Sequence, residues 1–306
     1  VLVFLGRRIL QTIPVVWGVG TMVFLLLHIV PGDPVEIMLG ENALPANKEA
    51  LRAQLNLDKP LGVQYAIFWK GVLTGDLGSS FVSKRPVSAL IAERFPLTLQ
   101  LAASALAWAL LLSIPLGVLA AALRDGIFDR LVLGFSILGA AMPNFWLGPL
   151  LMLFFSVHLG WFPVTGRDGP SNYILPSITL GLGLACVLTR MVRTTMAEVL
   201  RQDYMTTARS KGLDWAPLYL KHALKNALIP VITILGLNLA SLLAGAVITE
   251  TIFDWGGLGE LVYRGIQSRD FPVVQGCVLM IAATYVAANT LADIAYTYAN
   301  PRVEVG

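Results

Sequence analysis

Residues 206–230 read TTARSKGLDWAPLYLKHALKNALIP, a basic, helix-compatible stretch set between two long apolar runs. A small-residue helix ends at Ala208, the chain breaks at Gly212, a short amphipathic turn follows, and a second helix re-enters the apolar phase near Pro230. This order describes a water-facing handle on a membrane protein.

The rest of the chain agrees. Of its 306 residues 56% are hydrophobic and 13% charged, and mean hydropathy is +0.71, more apolar than one aqueous core can hide. A bilayer crossing needs about 20 mainly apolar residues, and six runs qualify: 9–30, 97–122, 131–157, 173–192, 228–249 and 276–298. The expected fold is an all-α membrane protein with six transmembrane helices.

Orientation follows from Lys and Arg in the short connections. Arg7, Arg8, Arg124, Arg130, Arg190, Arg193, Arg201, Arg209, Lys211, Lys221, Lys225 and Arg302 fall on one side, and only Arg167, Arg264 and Arg269 on the other. The first side is read as cytoplasmic, with both termini. The first run is too long for a signal peptide, and Ile29-Val30-Pro31-Gly32 offers no small-x-small cleavage site. The net charge of +3 is this bias and implies no nucleic-acid partner. Cys186 and Cys277 fall in apolar runs and are expected to stay free thiols.

The organisation expected is an anchor helix over 1–30, an external lobe over 31–96, a five-helix core over 97–298 containing the cytoplasmic loop 193–227, and a cytoplasmic tail over 299–306. In the lobe, 48–55 and 63–69 suit amphipathic helices, separated and followed by turns at Asp58-Lys59-Pro60 and Thr74-Gly75-Asp76. Pro115, Pro143, Pro149 and Pro176 lie in or beside spans and predict kinks. The one at Pro143, beside Asn144, is also positioned to shape a path.

Catalytic motifs are missing. No Gly-Lys dipeptide occurs, so there is no P-loop. Gly181-Leu182-Gly183 lacks the third glycine of a dinucleotide fingerprint and reads as close helix packing. His28, His158 and His222 carry no zinc spacing, and no metal site or catalytic residue is assigned. Ionisable and amide side chains inside spans are costly and therefore candidates for function. Asn144, Asn238, Asn289 and Asp293 are the candidate lining of a path, and Asp293 reads equally as a clamp to another helix. Arg190 and Arg193 read as headgroup anchors or as path residues.

In the loop, Gly212 suits a helix C-terminus, Asp214 an N-cap, and Pro217 a first turn. Trp215, Leu218 and Tyr219 then share a face at i, i+3 and i+4. Such a face wants a protein groove or the lipid headgroups, and both readings stay open.

Several motifs in order resemble permease subunits of binding-protein-dependent ABC importers, in the dipeptide, oligopeptide and nickel branch. They are Pro31-Gly32-Asp33-Pro34, Gly75-Asp76-Leu77-Gly78, Ala208-Arg209-Ser210-Lys211-Gly212-Leu213, His222 through Pro230, and Glu250-Thr251-Ile252-Phe253 through Gln275. Thr206-Thr207-Ala208 replaces the general Glu-Ala-Ala, which removes an ion pair that other branches form. Gly256-Gly257-Leu258-Gly259 replaces Pro-Gly-Leu-Gly and predicts a more flexible outer loop.

The resemblance implies a type I ABC importer permease fold. It also implies a second permease as heterodimer partner, two cytoplasmic ATPase subunits carrying ATP and Mg, and an external solute-binding protein. This chain itself would hold no cofactor. Ala208, Gly212, Leu213, Asp214, Trp215, Leu218, Tyr219 and His222 would then couple to the ATPases, with Leu218→Asp expected to insert but not transport. Asp254, Glu260 and Arg269 would meet the binding protein. Short peptides are the leading cargo; nickel, glutathione or an opine-like solute is the alternative. From another class, a self-sufficient channel or secondary carrier also fits an apolar chain without a P-loop.

Overall fold

A computed structural model describes residues 2–29, 34–39, 44–54 and 56–299. Pro31-Gly32-Asp33 and the tail beyond residue 299 lie outside it, as do the side chains of Arg7, Arg8 and Asp293. The elements are α1 (Leu2–Ile29), α2 (Pro34–Leu39), α3 (Pro45–Gln54), α4 (Leu61–Thr74), α5 (Val87–Ala122), α6 (Ile127–Ala141), α7 (Asn144–Leu151), α8 (Pro170–Val199), α9 (Asp203–Ser210), α10 (Leu224–Phe253), α11 (Leu258–Gln267) and α12 (Phe271–Ala299). Two π-helical turns, Met152–His158 and Pro217–Ala223, continue α7 and precede α10. An isolated bridge between Ser79 and Pro86 is the one extended pairing among the described residues.

By length and composition four helices can cross a bilayer: Val87–Ala122, Pro170–Val199, Pro217–Gly236 and Phe271–Ala292. The expected third span, 131–157, is not one rod. Ile127–Ala141 and Asn144–His158 meet at 108°, and they add a fifth crossing when taken as one broken span. The break follows from Pro143, which has no N–H to donate and pushes Met142 into extended backbone (φ −78°, ψ 120°). Among the described residues this measure gives four or five crossings, and α1 enters it only through Thr12–Leu25.

The chain divides into two compact units. One comprises Val1–Leu97 with Gly256–Thr284. Its core joins Val87, Leu90 and Ile91 of α5, Leu258 and Val262 of α11, and Val273 and Cys277 of α12. The expected lobe helix 63–69 falls within α4 and residues 48–54 of the other within α3, residue 55 lying outside the described residues, and Gly75 ends α4 in the left-handed region at φ +77°.

The other unit comprises Thr98–Trp255 with Tyr285–Gly306, and α8 lies at its centre against α6, α7 and α10. Gly181 permits the approach of α5: a Cβ there would fall 2.5 Å from the carbonyl oxygen of Ala105. The small-residue reading of this glycine is thereby explained, since small side chains let helix backbones close up. Glu250 is fully buried and accepts a 2.6 Å bond from the Thr98 hydroxyl. Both cysteines are free and buried.

Candidate functional site

The loop between α8 and α10 is built from its own polar bonds. α9 ends as Lys211 and Gly212 donate to Thr207 and Arg209 carbonyls, and Gly212 takes φ +76°, the left-handed geometry expected of it. Asp214 enters the next turn through its carbonyl, which accepts from Leu218 N–H at 3.2 Å. The Tyr204 hydroxyl accepts from Asn226 Nδ2 at 2.7 Å, and Thr195 Oγ1 donates to the Ala227 carbonyl at 3.1 Å. These bonds brace α9 and the end of α8 against the start of α10.

The expected shared face is altered. Leu218 is 3% exposed, whereas Trp215 is half-exposed and stacks on Tyr219 with ring centroids 5.2 Å apart. A π-helical turn runs over Pro217–Ala223, closed by Leu224 N–H bonding back to Tyr219. A π turn inserts one residue into the helical period. Buried positions run Leu218, Ala223 and Ala227, and Leu218 lies on this inner side while Trp215 stacks on Tyr219 outside it. Leu213, Trp215 and Leu220 form the exposed apolar surface, with Ala208, Tyr219 and His222 half-buried.

Arg193, read from sequence as a headgroup anchor or a path residue, is ion-paired within its unit. Its Nε and Nη2 donate to Asp129 Oδ1 at 2.9 Å and Oδ2 at 2.6 Å, and Asp129 also accepts from Asp125 N–H at 3.0 Å. Asp129 is 2% exposed. The short turn between α5 and α6 is thus tied to the helix that leads into the loop.

At the other loops, Asp254 ends α10 at φ +50° and Arg269 sits at φ +52°, both exposed. Glu260, read from sequence as a candidate surface contact, is buried. Its Oε2 accepts from Gly256 N–H and its Oε1 from Arg264 Nε, each at 2.6 Å. Arg94 Nη1 donates to the Gly256 carbonyl at 2.8 Å, so both polar atoms of that glycine's backbone are held. A glycine here does not loosen the loop as expected, because side chains on two helices grip its peptide groups. Asp270 is 3% exposed and accepts from Ser80 Oγ and from the N–H groups of Phe81 and Val82 at 2.5, 3.0 and 3.3 Å.

Of the expected path residues, Asn144 heads α7 next to Gly245 of α10, where a Cβ would come within 3.4 Å of its Nδ2. Asn238 donates to the Ile234 carbonyl of its own helix, and Asn289 is half-buried in α12. Sequence reading missed Asp129, Glu250 and Asp270 as buried, bonded carboxylates. The available signal was their position at the ends of apolar runs, where an unpaired charge is costly.

A family model described as "Binding-protein-dependent transport system inner membrane component" matches residues 113–305, and its N-terminal counterpart matches residues 1–102. The chain belongs to this family. Members similar to it include proteins named glutathione transport system permease protein GsiC. Those from Pectobacterium atrosepticum, Salmonella typhimurium and Escherichia coli strain K12 are 43%, 42% and 40% identical over 297 residues, 97% of each chain. The fold is also that of the inward-facing MetNI methionine ABC transporter, with a TM-score of 0.57 and 19% identity over 69% of this chain and 96% of that one. As a binding-protein-dependent transport component with a type I ABC importer permease fold, the protein is a multi-pass inner-membrane permease subunit of an importer.

Proposed function

We propose that this subunit is the non-catalytic half of a translocation path for a short peptide of the glutathione class. The observation that carries the cargo assignment is 40–43% identity, end to end, with permeases named for glutathione transport. A second, unlike permease completes the path, an external binding protein delivers the solute, and two ATPase subunits supply ATP and Mg chemistry. Both termini are cytoplasmic, and α1 makes the sixth crossing.

In this reading Leu213, Trp215, Tyr219 and Leu220 dock on the ATPase. Ala208, Gly212, Asp214 and His222 shape the loop, and Leu218 positions it from inside. Asp254 and Arg269 meet the binding protein, with Glu260 holding the loop beneath. Asn144, Asn238, Asn289 and Asp293 contribute polar groups to the path. The exposed aromatic stack of Trp215 on Tyr219 supports the docking role, since such a face next to water favours a partner groove.

The test is uptake into a strain lacking its own systems, supplied with the whole importer. Radiolabelled glutathione, dialanine and nickel are compared, with an ATPase-inactive complex as control. Glutathione uptake that needs the ATPase and the binding protein is expected. Nickel uptake without glutathione uptake would overturn the cargo assignment, and uptake by this chain alone would overturn the subunit assignment.

A further inference from the structure

A cavity of about 550 Å³ opens within the first unit, walled by α1, α4, the turn after α4 and the start of α12. Its apolar wall includes Phe24, Phe68 and Leu279, and its polar wall includes Lys70, Thr74 and Asp76. Leu279 lies eight residues into α12, about 12 Å along the helix axis from Phe271. The cavity therefore reaches about two turns down the apolar stretch Phe271–Ala292 from its N-terminal end.

α4 shows what surrounds it. This helix is apolar in sequence, LGVQYAIFWKGVLT, yet none of its residues is buried. Leu61 and Leu73 are 53% and 83% exposed. It leans on α1 through Tyr65 OH, 2.7 Å from Thr21 Oγ1, and through Phe68 against Phe24 at 5.6 Å. At 14 residues it is too short to cross a bilayer. Tyr65, Phe68 and Trp69 are half-buried towards α1, while Leu61, Val63, Ile67 and Leu73 leave an apolar face exposed beside Lys70, the pattern of a helix lying in the membrane interface.

We propose that α4 lies in the outer part of one bilayer leaflet and that the cavity beside it holds one phospholipid with a zwitterionic, ethanolamine-type headgroup. Lys70 takes the phosphate, Asp76 takes the ammonium, and the upper acyl chain lies against Phe24, Phe68 and Leu279. Charge complementarity selects this headgroup over an anionic one, because Asp76 stands exposed at the same wall, accepting only from Gly78 N–H at 3.1 Å. Which leaflet supplies the lipid follows from the orientation proposed above. The site itself is independent of the cargo.

The test uses the whole importer, purified with its partner subunits, delipidated in detergent and offered equal phosphatidylethanolamine and phosphatidylglycerol of the same chain length. Retained lipid is read by native mass spectrometry. The wild-type complex should keep phosphatidylethanolamine in preference. Lys70→Glu, which reverses the phosphate contact, and Thr74→Trp, which fills the cavity from an exposed position, should each lower retention about tenfold, the loss expected of one charge-assisted contact. Asp76→Lys should shift the preference to phosphatidylglycerol. Two variants that act by different means separate loss of the site from loss of folding, and Lys84→Glu on an exposed turn is the control. Equal retention in wild type, Lys70→Glu and Thr74→Trp would overturn the proposal. So would displacement of the lipid by soluble glutathione, which would assign the cavity to cargo.

Discussion

Arg193 grips Asp129 with both arms of its guanidinium, joining the last turns of α8 to the first turn of α6. The two side chains are 17% and 3% exposed, and the bidentate geometry holds the planar fork in one orientation. The base of the loop is consequently fixed to two helices of its unit.

Removing one partner leaves the other charge without its bond. Arg193→Met should lower stability by about 1.5–3 kcal/mol, the range for a hydrogen bond to a charged group. The thermal midpoint of the detergent-solubilised protein measures it. The swap of Asp129→Arg with Arg193→Asp should recover part of the loss, and no recovery would mean that the pair acts only through packing.

Leu218 and Trp215 should separate stability from coupling. Leu218 is buried, so Leu218→Asp should lose on the order of 1.5–3 kcal/mol of apolar burial and reduce the amount of protein in the membrane. Trp215→Ala should leave that amount unchanged and abolish ATP-dependent uptake. Blotting of membranes beside an uptake assay distinguishes the two, and normal uptake by the Trp215 variant would remove the docking role.

Asp270 holds the turn that contains Lys84 through three bonds. Asp270→Ala should free that turn, and trypsin should cut after Lys84 faster in the purified protein while the rest of the digestion pattern is retained. Unchanged protection would show that the turn is held by other contacts.

The two glycines of Gly181-Leu182-Gly183 should behave oppositely. A Cβ at Gly181 meets the Ala105 backbone, whereas one at Gly183 meets nothing within 4 Å. Gly181→Ala should destabilise the protein by about 1–3 kcal/mol, as overpacking does, and Gly183→Ala should be neutral or slightly stabilising through helix propensity. Thermal melts of the two variants in one detergent provide the comparison.

Properties carried by local composition were legible in the chain. Apolar runs of bilayer length, basic residues gathered in alternate loops, the missing P-loop, the break at Gly212 and the helical character of residues 48–55 and 63–69 all depend on neighbours in sequence. The family motifs were legible for the same reason, because each is a short run of adjacent residues. Even Pro143 announced its break, although not that the turn would reach 108°.

Partner choice across sequence distance was not legible. Arg193 and Asp129 are 64 residues apart, Ser80 and Asp270 190, Thr98 and Glu250 152. A charge at the end of a span reads alike whether it meets lipid, water or a carboxylate. The face of Leu218 was misplaced because positions i, i+3 and i+4 spread over about 100° of a helix, and which side of that arc is buried depends on what packs against it. Sequence by itself determined the membrane class, the family and the handle. Tertiary structure alone decided which polar groups are consumed inside the protein and which remain for partners, because burial and hydrogen bonding are properties of the space around a residue and not of its neighbours in the chain.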